Sequence, residues 1–130
     1  MSDLVAFLRA RLAEDEAAAR AAALGWGDRW TAGDRGSAGD GPSPVAGFGD
    51  FGAHIARWDP ERALAEVTGK LQRLAVFGRL VAGAGPDEGP GAAAVTELAQ
   101  HMLLVEAQPY AEHPDFNLAW RLTVGDGAAK

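Results

Sequence analysis

At 130 residues, 48% hydrophobic and 23% charged, the chain amounts to about one domain and has enough apolar surface to bury a core, which excludes a disordered protein. Its 12 Lys and Arg against 18 Asp and Glu leave a formal charge of -6; this repels phosphate backbones and excludes non-specific nucleic-acid binding by counterion release. The absence of cysteine removes disulfides, thiolate nucleophiles and Cys-based clusters, so any metal site has to be built from His and carboxylate.

The first segment sets Asp3, Arg9 and Arg11 within an apolar stretch. That pattern fits neither a secretory signal nor a membrane span, so a cytoplasmic protein with no membrane association is expected. Spacing predicts a helix over 3–24, with Leu4, Leu8, Leu12, Ala19 and Ala22 on one face, Val5 and Ala23 beside them, Ser2 or Asp3 as cap, and Gly25 and Gly27 as the stop. Residues 25–50 mix Gly, Asp, Pro and Ser with Trp26, Trp30, Val45 and Phe48. They read as a flexible Gly-rich insertion, or as a small β-hairpin with Trp30 on one arm and Val45 on the other.

A short helical turn is expected over 50–58. Asp59-Pro60 then opens a second long helix, with Asp as cap and Pro in the first turn. Its inward positions are Leu64, Val67, Leu71, Leu74 and Val81, and Arg62–Glu66 and Glu66–Lys70 are outward i,i+4 pairs. A Gly/Pro linker over 83–91 leads to a third helix over 92–108, with Val95, Leu98, Ala99, Met102 and Val105 inward and Pro109 as its end. A last short helix is expected over 114–121, burying Phe116 and Trp120, before a frayed tail at 123–130. The predicted fold is mainly α: a single domain over 1–130, a small bundle of three long helices plus short ones.

The most informative stretches are His54-Ile55-Ala56-Arg57-Trp58-Asp59-Pro60-Glu61-Arg62 and Pro109-Tyr110-Ala111-Glu112-His113-Pro114-Asp115-Phe116, which hold two of the three histidines. Each histidine stands near an Asp and a Pro at a predicted helix entrance, where side chains are held stiffly. Together with Leu4-x-x-Phe7-Leu8-x-x-Arg11-Leu12, Glu14-Asp15-Glu16, Glu66-Val67-x-x-Lys70 and Trp120-Arg121, they make the chain resemble, along most of its length, a family of small actinobacterial and phage proteins of unknown function. The chain departs from that pattern in the Gly-rich 31–50 stretch and at Thr68, Gly69 and Leu71. The resemblance implies a helical fold and carries no activity with it.

The candidate site follows from the polar residues. Asp15 falls on the apolar stripe of the first helix, with Glu16 beside it, and a carboxylate there calls for a cation, for example Arg57 or Arg62. If the two histidine-bearing entrances meet, His54, Asp59, Tyr110, His113 and Asp115 line one polar cleft above Asp15 and Glu16. His54, Asp59, His113 and Asp15 or Glu16 would suit a divalent zinc, manganese or iron ion that activates water. Against this, Asp59 is fully explained as an N-cap, and Tyr or His beside Pro also serves to pin a chain corner.

Trp26, Trp30, Phe48 and Phe51 read either as a lid completing the core or as partner anchors. Gly47-x-Gly49-x-x-Gly52 lacks the strand and acidic residue of a dinucleotide site, and no serine lies in a nucleophile elbow. The expected function is a non-enzymatic helical accessory protein that holds a small molecule or a protein partner. The alternative is a small metal-dependent hydrolase, and self-association as a homodimer through the helical stripes is a third possibility.

Overall fold

The computed structural model describes residues 1–32, 43–46, 54–83, 89–123 and 125. Helix α1 runs Ser2–Trp26, strands β1 and β2 are Trp30–Ala32 and Ser43–Ala46, helix α2 is Pro60–Ala82, and helix α3 is Ala92–Ala107. Two 3-10 turns follow, Gln108–Tyr110 and Leu118–Trp120. The chain is thus mainly helical, with the three long helices that the apolar spacing predicts. It divides into two compact units, one of Met1–Arg11 with Lys70–Lys130 and the other of Leu12–Gly69.

In the first unit, Leu4, Phe7 and Leu8 of α1 are buried, as are Leu74 of α2, Ala99, Leu103 and Ala107 of α3, and Phe116. Two expectations differ from what is found. The inward stripe of α3 is Ala99, Leu103 and Ala107, whereas Val95, Leu98 and Val105 are 47%, 60% and 42% exposed. α3 is apolar around most of its circumference, so its pattern has no unique phase, and the small residues are the ones that let it pack closely. The expected helix over 114–121 is instead a run of tight turns, with His113 N–H donating to Tyr110 O, Phe116 N–H to His113 O and Trp120 N–H to Asn117 O. Pro109 and Pro114 lack the N–H groups that an α-helix would use, and Asn117 takes Ala119 N–H on its side chain at 2.9 Å. Phe116 is nevertheless buried and Trp120 half-buried.

In the second unit, Leu12, Ala19 and Val67 are buried. α1 continues through Gly25 and ends at Gly27, whose φ of 81° is the left-handed conformation that lets its N–H reach Ala23 O at 2.8 Å. Asp59 caps α2, its Oδ1 accepting from Arg62 N–H at 2.9 Å, and its Oδ2 also accepts from Trp30 N–H at 3.2 Å. Asp28 O takes Glu61 N–H at 2.8 Å, so the exit of α1 is tied to the start of α2, over a fully buried Pro60.

β1 and β2 pair in parallel, with Trp30 opposite Ser43 and Ala32 opposite Ala46. The hairpin expectation is corrected here, since a hairpin requires antiparallel arms. Trp30 gives its N–H to Asp59 and Pro44 has none to give, which leaves a short pairing with an irregular register between Thr31 and Ala32. Phe48, Phe51, the Gly47–Gly52 motif and most of the tail expected to fray lie outside the described residues. Leu71, expected inward on α2, is 38% exposed, at the margin of a stripe centred on Val67 and Leu74.

Because Asp59 satisfies both a helix-start N–H and a strand N–H, Asp59→Ala is expected to lower stability by about 1–2 kcal/mol. Asp59→Asn should retain most of it, read as the shift in denaturant midpoint at constant slope.

Candidate functional site

Arg11 stands one heptad after Leu4 and one turn after Phe7, which places it on the buried face of α1. Its side chain is 8% exposed. The guanidinium lies 5.2 Å from the centre of the Phe7 ring and 3.8 Å from Asp115 Oδ2. Its Nη1 is 2.6 Å from His113 Nδ1 and also contacts Nε2. His113 Nδ1 also accepts from Asp115 N–H at 3.0 Å. The imidazole edge is therefore engaged by Arg11 and by its own turn.

An aromatic cluster surrounds this contact. Phe7 meets Tyr110, His113, Phe116 and Trp120 at ring-centre distances of 6.3, 5.8, 5.9 and 5.2 Å, and Phe116 meets Trp120 edge-on at 5.7 Å. Lys70 stands 5.9 Å over the Tyr110 ring. Gln108 fastens the segment from the other side. Its Nε2 donates to Leu104 O at 2.7 Å and Trp120 O at 2.9 Å, and its Oε1 accepts from Leu122 N–H at 3.0 Å. One side-chain amide thus holds backbone groups up to fourteen residues away.

Of the residues singled out in the sequence, Tyr110, His113 and Asp115 gather around Phe7 and Arg11 in the first unit. Asp15, Glu16, His54, Arg57, Asp59 and Arg62 belong to the second unit. There His54 and Arg57 are exposed. Glu16 pairs with Arg20 at 2.8 Å. Arg62 lies 4.2 Å over the Trp58 ring and 3.9 Å from Glu66. Trp26 is 66% exposed, while Trp30 is half-buried and its indole N–H is donated to Gly27 O at 2.9 Å. Among the described residues, no group of three or more His, Asp or Glu is placed to hold a metal ion.

Sequence reasoning passed over Arg11 and Gln108. Arg11 was legible as a charge one heptad from Leu4 inside the Leu4–Leu12 motif. Gln108 was legible only as the last polar residue before Pro109.

An open concave feature of the first unit lies elsewhere. A groove of about 800 Å³ runs between the start of α1 and the end of α2. Buried Leu74 and half-buried Val5 and Gly78 form its base, and exposed Ala6 and Ala75 its walls. Arg9 and Arg79 are exposed at its margin, and no carboxylate is among the described lining residues. A Cβ added at Gly78 meets only Val5 Cγ2, at 3.9 Å. An apolar trough with two cations, in a chain of charge -6, suits an apolar body carrying an acidic group.

A family of unknown function, DUF6221, matches the chain over residues 1–122. No curated protein and no solved structure matches it. Among the described residues, no helix is long and apolar enough to cross a membrane.

Replacing Gln108 by Met should leave α3 intact and release the segment that follows. The amide of Leu122 is expected to exchange its hydrogen at least about tenfold faster, while that of Leu103 in the core is unchanged, as measured by hydrogen exchange.

Proposed function

The chain belongs to the DUF6221 family, a family of unknown function, and we propose that it acts by binding: a non-enzymatic helical accessory protein whose working surface is the α1/α2 groove. The observation that carries this reading is the groove itself, an open trough of about 800 Å³ with an aliphatic base and Arg9 and Arg79 at its margin. Its occupant is an apolar element of a partner or ligand, and an attached carboxylate or similar anion meets the arginines. Open grooves with small wall residues suit an elongated body laid along them, whereas small-molecule pockets enclose most of their ligand.

The engagement of His113 supports binding rather than turnover. Its ring edge faces Arg11 and the Asp115 amide, an arrangement that anchors the C-terminal turns to α1. The exposed Trp26 and the Trp58/Arg62 stack supply surface features of the second unit to which this reading assigns no ligand.

The test uses 1-anilinonaphthalene-8-sulfonate, an apolar dye with one negative charge. At dilutions where the chain is single, one dye per chain is expected to bind with enhanced fluorescence. Gly78→Trp and Ala75→Trp, which fill the trough, should weaken that binding about fivefold or more, and Arg9→Glu should weaken it as well. Dye binding that is indifferent to all three changes would place the apolar surface elsewhere and remove this reading.

A further inference from the structure

A second feature of the first unit has no role in the folded core. Val95, Leu98, Met102 and Val105 follow one another at spacings of three, four and three along α3, the a/d spacing with which one helix seats against another. Val95, Leu98 and Val105 are 47%, 60% and 42% exposed, on the face beside the one that carries buried Ala99 and Leu103, and Met102 is half-buried between the two. An apolar stripe that widens a helix's buried face in this way is normally covered. Glu97, exposed on the flank of this stripe, makes no ion pair among the described residues. Glu106, on the other flank, is held by Arg73 at 2.5 Å.

We propose that the occupant of the α1/α2 groove is the outer face of α3 from a second copy of this chain, with Glu97 meeting Arg9. The proposal rests on the reading of that groove as the binding surface. Among the described residues neither half is covered by the chain itself, and a contact between copies covers both. Their chemistry is complementary: an apolar stripe flanked by a carboxylate that makes no ion pair among the described residues, and an apolar trough whose described lining holds two arginines and no carboxylate. Reciprocal exchange of the two elements forms the contact twice about a two-fold axis, which closes the assembly as a dimer.

Sedimentation equilibrium of the full chain over a range of concentrations tests this. The expected result is a mass that rises toward twice the 13.5 kDa of one chain. Leu98→Glu, at an exposed position, should give a single-chain mass with unchanged circular dichroism. Arg9→Glu and Glu97→Arg should each raise the dissociation constant about tenfold or more, and the double variant carrying both changes should recover much of the loss. A wild-type chain that stays at single-chain mass up to roughly 100 μM overturns the proposal. So does a dimer that survives Leu98→Glu. A dimer broken by Leu98→Glu but indifferent to Arg9→Glu pairs α3 with α3 and overturns the groove as its seat. The dye separates this inference from the reading beneath it: in the Leu98→Glu chain the trough is open, so dye binding there without any wild-type dimer removes only the second copy, whereas loss of groove-dependent dye binding removes both.

Discussion

The first unit depends on placing one guanidinium out of water. An arginine buried to this degree requires donors and charge around it to be matched, because an uncompensated cation in an apolar setting is costly. Arg11 has three neighbours of different kinds: the face of Phe7, the edge of His113, and the carboxylate of Asp115, which is itself largely exposed. The neutralising charge thus stays at the solvent boundary while the cation lies inside. The pairing also sets direction. Residues two apart on a helix point about 200° away from each other, so the turns that hold Phe7 and Arg11 against the C-terminal segment present Val5 and Arg9 on the opposite side. Anchoring one side of α1 therefore fixes a wall of the groove on the other.

The C-terminal segment has no long helix to stabilise it and is held by discrete polar contacts. Pro109 and Pro114 interrupt the backbone ladder, so the chain from Gln108 to Arg121 advances in turns closed by bonds to the residue three back. Such turns have poorer geometry than an α-helix and gain little by themselves. The stabilising groups are Phe116, buried beneath Phe7 and Trp120, and the Gln108 amide, which binds backbone at both ends of the segment. Asp59 does the same work in the second unit, its two carboxylate oxygens serving a helix start and a strand start. In both places a single planar side chain with two functional ends joins elements that have few apolar residues to join them.

The long helices were readable from the sequence because their signals are local. Asp59-Pro60 opens α2 where expected, and Gly27 and Pro109 fall at the ends of α1 and of the α3 ladder. What failed was orientation. α3 is so uniformly apolar that Val95, Leu98 and Val105 satisfy helical spacing as well as Ala99, Leu103 and Ala107 do, and only close packing decides between the two faces. The turns after Pro109 contain the same apolar periodicity as a short helix, and the proline positions outweighed it. For the polar residues, Asp15 drew notice as the acid on the α1 stripe, yet Arg11, one turn earlier on that stripe, is the buried charge. A long guanidinium can stack on a ring and still reach surface oxygens, an option a short carboxylate lacks. Tyr110, His113 and Asp115 were recognised as one polar corner, but their partner on α1 was not.

Gly78 shows how the groove bears on the rest of the molecule. A glycine inside a helix costs about 1 kcal/mol relative to alanine, and that cost is usually offset by a close approach which a side chain would block. Here, among the described residues, a Cβ would meet Val5 Cγ2 at ordinary contact distance, 3.9 Å, so their packing does not require the glycine. The space it leaves opens into the trough, between Ala75 and Val5 and beneath two arginines. In the proposed contact, a side chain of the partner's α3 seated there gains contact with backbone at Gly78 that alanine would reduce, which offsets the helix propensity forgone at that position.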